Sequence, residues 1–167
     1  MLPSWQLRPR EEAHNFNPAF CGSLTYEFVK SYTKAKGTSA EFPLAFCALA
    51  IGLYPETREQ MPATTRTGLY SWIERTPEAL VGYSDRARSL VPYVKEAIIY
   101  AALRDSLVFS ELGGLSIGKK KASFTEASLE RTTADVRDTV KSMRMIGKWF
   151  AAAGEAQTIL ASLGVRV

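Results

Sequence analysis

The stretch SLVPYVKEAIIYAALRDSLVFSELGGLSIGKKK, Ser89 to Lys121, decides the fold. Val94, Ala97, Ile98, Ala101 and Ala102 keep the three-four spacing of a helix that buries one face. At Asp105 the period changes. The runs Leu107 to Phe109 and Leu115 to Ile117 flank Gly113-Gly114, a dipeptide that reaches the positive torsions of a tight hairpin turn. A helix, a hairpin and a basic tail end a winged-helix unit, and two helical segments upstream supply the rest of one. TTRTGLYSWIERTP puts Leu69, Trp72 and Ile73 on one helix face from about 65 to 75, and Thr76-Pro77 opens a second segment through Leu80. Pro92 lacks an amide donor and clashes with the preceding turn, so no uninterrupted helix is expected through it; it suits the first turn of the helix before the hairpin.

On the N-terminal side, residues 1–16 hold two prolines and both charge signs, which predicts an extended arm that stays loose or lies on a partner. Asn17-Pro18 is a cap followed by a proline suited to the first helical position. The helix it opens, Ala19 to Lys36, carries Phe20, Leu24, Phe28 and Tyr32 at every fourth position, and Gly37 closes it. FPLAFCALAIGLYP, from Phe42, is apolar on all sides. Such a helix is either the centre of a bundle or is covered by another subunit. Pro55 stops it, and Met61-Pro62 marks the boundary of the next unit.

On the C-terminal side, Ser123 to Glu126 has the spacing of a capping box and predicts a long helix from about 124 to 152. Leu129, Val136, Val140, Met143, Gly147 and Phe150 form its apolar stripe. Gly154 ends it, Ala156 to Leu163 is a short apolar helix, and Val165 to Val167 reads as an extended tail. The expected fold is therefore mainly α: an arm (1–16), a helical pair (17–62), a winged-helix-like unit of three helices plus a β-hairpin (63–122), and a long and a short helix packing on the same core (123–167).

Bulk properties narrow the function classes. With 167 residues and 46% apolar content the chain can bury one sizeable core or two small ones in contact. The net charge of +4 permits a nucleic-acid partner without demanding one, and the surplus is concentrated in residues 61–121, with nine basic and six acidic side chains. The longest apolar run, Phe42 to Tyr54, falls short of the roughly 20 residues of a membrane span. The start has no continuous apolar core, so it does not resemble a secretory signal, and a cytoplasmic protein is expected. Cys21 and Cys47, without a CxxC pairing, read as buried reduced thiols.

No catalytic constellation appears. His14 stands alone in the arm, Gly118-Lys119 lacks the spacing of a phosphate loop, and Asp135 and Asp138 have no histidine or cysteine to complete a metal site; no cofactor is expected. A small enzyme whose site a partner completes would need His14 or Glu126. Arg86, Arg88, Lys95 and the run Lys119-Lys120-Lys121 are candidate nucleic-acid contacts, since lysines beside a wing reach phosphates. The helix before the hairpin has no Asn or Gln to read base edges, so a docking module and a DNA-binding unit both remain open.

The segments NPAF (Asn17 to Phe20), FPLAF (Phe42 to Phe46), TTRT (Thr64 to Thr67), RARSLVPYVKEAI (Arg86 to Ile98), GKWFAAAG (Gly147 to Gly154) and the terminal GVRV resemble, in order, the middle components of three-component ABC systems. The resemblance implies a small accessory subunit beside a large ATPase similar to Rad50 and the structural-maintenance-of-chromosomes (SMC) proteins, which would act as a dimer, and an effector that is often a nuclease. Systems of this type, the Lamassu group among them, act against phages and plasmids, and DNA would be met through the complex. Trp5, Phe16, Phe20, Phe28, Phe42 and Phe46 are then candidate partner contacts. The rival is a free-standing winged-helix transcription regulator, which predicts a homodimer on a specific operator with steep salt dependence.

Overall fold

A computed structural model describes residues 2–165, which fold mainly as α-helix with one small antiparallel sheet. In chain order the helices are α1 (Arg10–Asn15), α2 (Pro18–Lys36), α3 (Phe42–Gly52), α4 (Pro55–Arg58), α5 (Leu69–Arg75), α6 (Tyr83–Leu103), α7 (Glu126–Glu130), α8 (Ala134–Ala152) and α9 (Ala156–Ser162). Between α6 and α7 lies the hairpin of β1 (Leu107–Phe109) and β2 (Leu115–Ile117), paired Leu107 to Ile117 and Phe109 to Leu115. Arg166 and Val167, part of the expected tail, lie outside the described residues, as does Met1.

α2 is the axle of the bundle. Asn17 Oδ1 accepts from the amides of Ala19 (2.9 Å) and Phe20 (3.3 Å), and Gly37 ends the helix in the left-handed conformation, as its cap residues imply. Its most extensive neighbours are α8 and α6. α8 comes so close that a Cβ on Gly147 would sit 2.6 Å from the Phe28 carbonyl oxygen, which explains a glycine inside an apolar stripe. α3 is the central helix: Leu44 to Gly52 are buried except Phe46, covered by α2, α6, α8 and α9 of the same chain. Of the two readings open for an all-apolar helix, the first holds. Buried apolar residues from Leu24 to Leu163 join in one cluster.

Several expectations need correction. Pro92 lies inside an unbroken α6. It sits roughly opposite the buried stripe of Leu90, Val94, Ala97 and Ile98, and the carbonyl it frees belongs to exposed Arg88, where water can replace the lost bond. Packing of that stripe on both sides of the proline outweighs a local cost of about 3 kcal/mol. The long C-terminal helix is two helices. Thr125 caps α7 by accepting from the Ser128 amide, and Thr133 restarts the chain by capping Val136. The expected capping box does not form, because the Ser123 hydroxyl and the Glu126 carboxylate are taken by side chains of other elements. α5 starts at Leu69 rather than near 65, after a segment pinned by Trp72 Nε1 on the Gln60 carbonyl (2.8 Å) and Trp149 Nε1 on that of Thr67 (2.7 Å).

Residues 2–16 are not an extended arm. They form a short 3-10 turn and α1, then lie on α6, where the buried Arg8 guanidinium grips Glu96 through two bonds (2.7 and 2.6 Å) and the Phe16 ring stacks 4.5 Å from Tyr93.

Candidate functional site

The hairpin keeps much of its apolar surface outside the core. Leu107 and Leu115 are buried, whereas Val108, Phe109, Leu112 and Ile117 stay exposed, although Phe109 and Ile117 share the face of the two leucines. Phe109 is 55% exposed and Leu112 95%, and at the end of α6 Ile99 and Leu103 are 58% and 82% exposed. Gly113 takes the positive φ of the turn, and Gly114 lets the chain pass close to Ser39. The Phe109 ring lies 6.1 Å from Phe42, which lies 5.0 Å from Phe46, so an aromatic path leads from the hairpin to the N-terminal end of α3. Beyond Phe46 a groove of about 440 Å³ opens between α3, α6 and the end of α9, lined by Pro43, Phe46, Val91, Leu160 and Val165, with Arg88 at one side.

The sheet also has an open edge. Leu115 exchanges both backbone bonds with Ala40 (2.9 and 2.6 Å), so β2 is covered on its outer side. Because Leu115 points its polar groups away from β1, its partner Phe109 points its own amide and carbonyl outward, where no backbone group among the described residues meets them. An unpaired strand edge bearing exposed apolar side chains is a ready docking template.

The residues singled out in the sequence fall in different settings. Phe42 and Phe46 are half-buried and border the exposed apolar path. Trp5 is 43% exposed beneath the Arg8 guanidinium, while Phe16 and Phe20 are half-buried against Tyr93 and Phe124. Phe28 has no surface to offer: it is fully buried between Tyr32 and Phe150, because its position on α2 faces α8. Arg86 is half-buried and engaged within the chain, donating to the Val81 carbonyl (2.6 Å) and Thr57 hydroxyl (3.0 Å) and lying 4.7 Å from the Tyr54 ring. Arg88 pairs with Asp85 on the surface (3.3 Å), and Lys95 is exposed on the outer side of α6. Lys119, Lys120 and Lys121 are exposed and make no ion pair among the described residues.

A buried ionic lock positions the lysine-bearing segment. Glu27 on α2, 1% exposed, receives the Ser123 hydroxyl (2.7 Å), the Phe124 amide (2.7 Å) and the Arg144 guanidinium (2.9 and 3.1 Å), and Arg144 also donates to the Phe124 carbonyl (2.6 Å). Burial pushes the Glu27 carboxyl up, but these donors outweigh it and hold it below the ordinary carboxylate value. The sequence contained no local sign of this lock, whose members lie about a hundred positions apart.

Burial drives the thiols of Cys21 and Cys47 up to about 12 and about 11, away from the thiolate a nucleophile needs. Among the described residues no group of three His, Cys, Asp or Glu side chains is placed to share a metal ion, and no helix is long and apolar enough to cross a membrane. A family model described as ABC-three component (ABC-3C) system Middle Component 3 matches residues 5–167. No curated protein and no solved structure matches the chain.

Proposed function

The chain belongs to the ABC-three component system middle component 3 family, and from that membership we propose that it is a non-enzymatic accessory subunit bridging an SMC/Rad50-like ABC ATPase dimer and an effector, often a nuclease. The complex is cytoplasmic, of the Lamassu defence type, and the subunit helps to hold the effector until phage or plasmid DNA is sensed.

The observation that carries this reading is the exposed apolar hairpin with its open edge. Leu103, Phe109 and Leu112 are held in water, with Ile99, Val108 and Ile117 exposed beside them in the chain, whereas Leu7 and Val81 are exposed singly elsewhere. Fully covering one such side chain is worth about 1.5–3 kcal/mol, a gain the isolated chain forgoes and a docked one collects. The long aromatic-rich helix α2 and the apolar α3 are mostly occupied inside the bundle, and in this reading the hairpin, the end of α6 and the Phe42–Phe46 path form the partner-facing surface.

A free-standing winged-helix regulator has less in its favour. α6 commits its buried stripe to α2 and α3, and the outer side turns Ile99 and Leu103 to solvent beside Lys95, whereas a groove-reading helix presents polar groups to base edges. We keep the wing comparison for the hairpin as a protein-docking element.

The test is co-expression of the chain with the ABC ATPase and the effector of its own system. The wild-type chain should co-purify with the ATPase in fixed ratio, and the Leu103→Asp/Phe109→Asp/Leu112→Asp variant should keep its helical circular dichroism but lose the ATPase. A wild-type chain that remains a stable, monodisperse monomer with no affinity for either protein overturns the proposal.

A further inference from the structure

We propose that a basic track along α2 seats the phosphate backbone of duplex DNA without reading its sequence. This goes beyond the bridging role and rests on different side chains. Ala19, Ser23, Lys30 and Lys34 follow one another at spacings of four, seven and four, which places them on one side of α2. At the N-terminal end of that side a hollow of about 290 Å³ gathers Arg104, Lys120 and Lys121 with Ser23 and Tyr100, and no carboxylate lines it. At the other end a second hollow of about 440 Å³ gathers Lys30, Lys34, Lys148 and Arg144; its one acid, Glu27, is buried and already neutralised by Arg144. Lys30 Nζ donates to the Ser123 hydroxyl (3.0 Å), so the segment that carries the lysine run lies on α2 between the two hollows.

Arg104, Lys120, Lys121, Lys34 and Lys148 make no ion pair among the described residues. Like charges drawn together without counter-charges repel one another, and a polyanion is the ligand that reverses the sign of that cost. From Ser23 to Lys34 is eleven residues, about 16 Å of helix axis, which matches about five phosphates of one strand measured along a duplex. Duplex fits better than single-stranded nucleic acid, because the track offers few aromatic rings for stacking bases: the Arg104 guanidinium already lies over Tyr100 at 4.8 Å, and Phe124 is engaged with Phe20. Neither hollow contains an Asn or Gln to read base edges, hence the sequence-blind mode.

The test is fluorescence anisotropy of the full chain with a labelled duplex between 50 and 200 mM salt, with a scrambled duplex, the corresponding single strand and polyglutamate as competitors. With four or five phosphates engaged, log K against log salt should fall with a slope of about −4, equal for the two duplexes. Lys120→Ala/Lys121→Ala and Lys34→Ala/Lys148→Ala should each make the slope shallower by about 2. Arg88→Ala/Lys95→Ala, which removes the same charge from the outer side of α6, should leave it unchanged. No binding at 50 mM salt, an equal loss in the Arg88/Lys95 control, tighter binding of the single strand, or equal competition by polyglutamate would each overturn the proposal, the last in favour of an acidic protein segment.

Discussion

Removing the Glu27 carboxylate is the sharpest probe of how this fold is held. Its four hydrogen bonds join α2, the segment after the hairpin and α8, and its side chain is 1% exposed while that of Arg144 is 27% exposed. Breaking a buried ion pair by deleting one partner costs roughly 3–5 kcal/mol. Glu27→Ala should fall at the lower end, about 3 kcal/mol, because Arg144 keeps some water, the Phe124 carbonyl and the exposed Glu126 at 3.3 Å. For a chain of this size that corresponds to a fall in Tm of about 6–12 °C. Adding Arg144→Ala to Glu27→Ala should cost little more, since the guanidinium has already lost its partner, and the coupling between the two should be about 2 kcal/mol. Urea unfolding of the wild type, both single variants and the double variant measures this cycle. A Glu27→Ala loss below about 1 kcal/mol, or losses that simply add, would refute the view that this lock fastens the lysine segment to the bundle.

Three further outcomes follow from the same geometry. Gly147→Ala drives a methyl to 2.6 Å from the Phe28 carbonyl oxygen and 3.0 Å from the Tyr32 nitrogen, both backbone, and should destabilise by about 1–3 kcal/mol or more in thermal unfolding; a neutral result would mean that α2 and α8 do not cross this closely. Acid should loosen the fold through Glu27. Its folded pKa lies below the ordinary 4.5, so its contribution is fully present above that value and is lost as pH falls through the lower folded value; a Tm that stays flat from pH 5 to pH 3 in wild type, or falls equally in Glu27→Gln, contradicts this. Cys21 and Cys47, buried and with raised pKa, should resist iodoacetamide at pH 8 in the folded chain and react fully in denaturant, as intact-mass spectrometry would report; rapid alkylation of the native chain would be the contrary result.

Local signals carried much of the architecture. The Asn17-Pro18 start and Gly37 end of α2, the all-apolar α3 and the hairpin strands were readable because caps, periodicity and turn glycines act within a few residues. Pro92 does not end its helix because tertiary packing holds it, and the Thr132-Thr133 break is hidden in the sequence because the apolar period continues across it. Sites were harder to read. Arg86 reads as a surface cation in a string of letters, yet it bonds the Ala79 and Val81 carbonyls and the Thr57 hydroxyl of α4. Lys30 and Lys34 share a helix face four residues apart and were available to sequence reasoning, whereas Lys148 joins them only through the α2–α8 crossing. The exposure of Phe109 and Leu112 follows from how the hairpin is anchored through Ala40 and Leu115, a contact the sequence does not announce.

The central claim is that the hairpin is where a larger partner takes hold. Hydrogen exchange of the chain alone and in complex with the ABC ATPase of its system tests it at single amides. The Phe109 amide, free at the open edge, should exchange quickly in the isolated chain and become protected in the complex, together with the backbone around Leu112. An exchange pattern across β1 that the ATPase leaves unaltered, with protection elsewhere on the chain, would contradict the account.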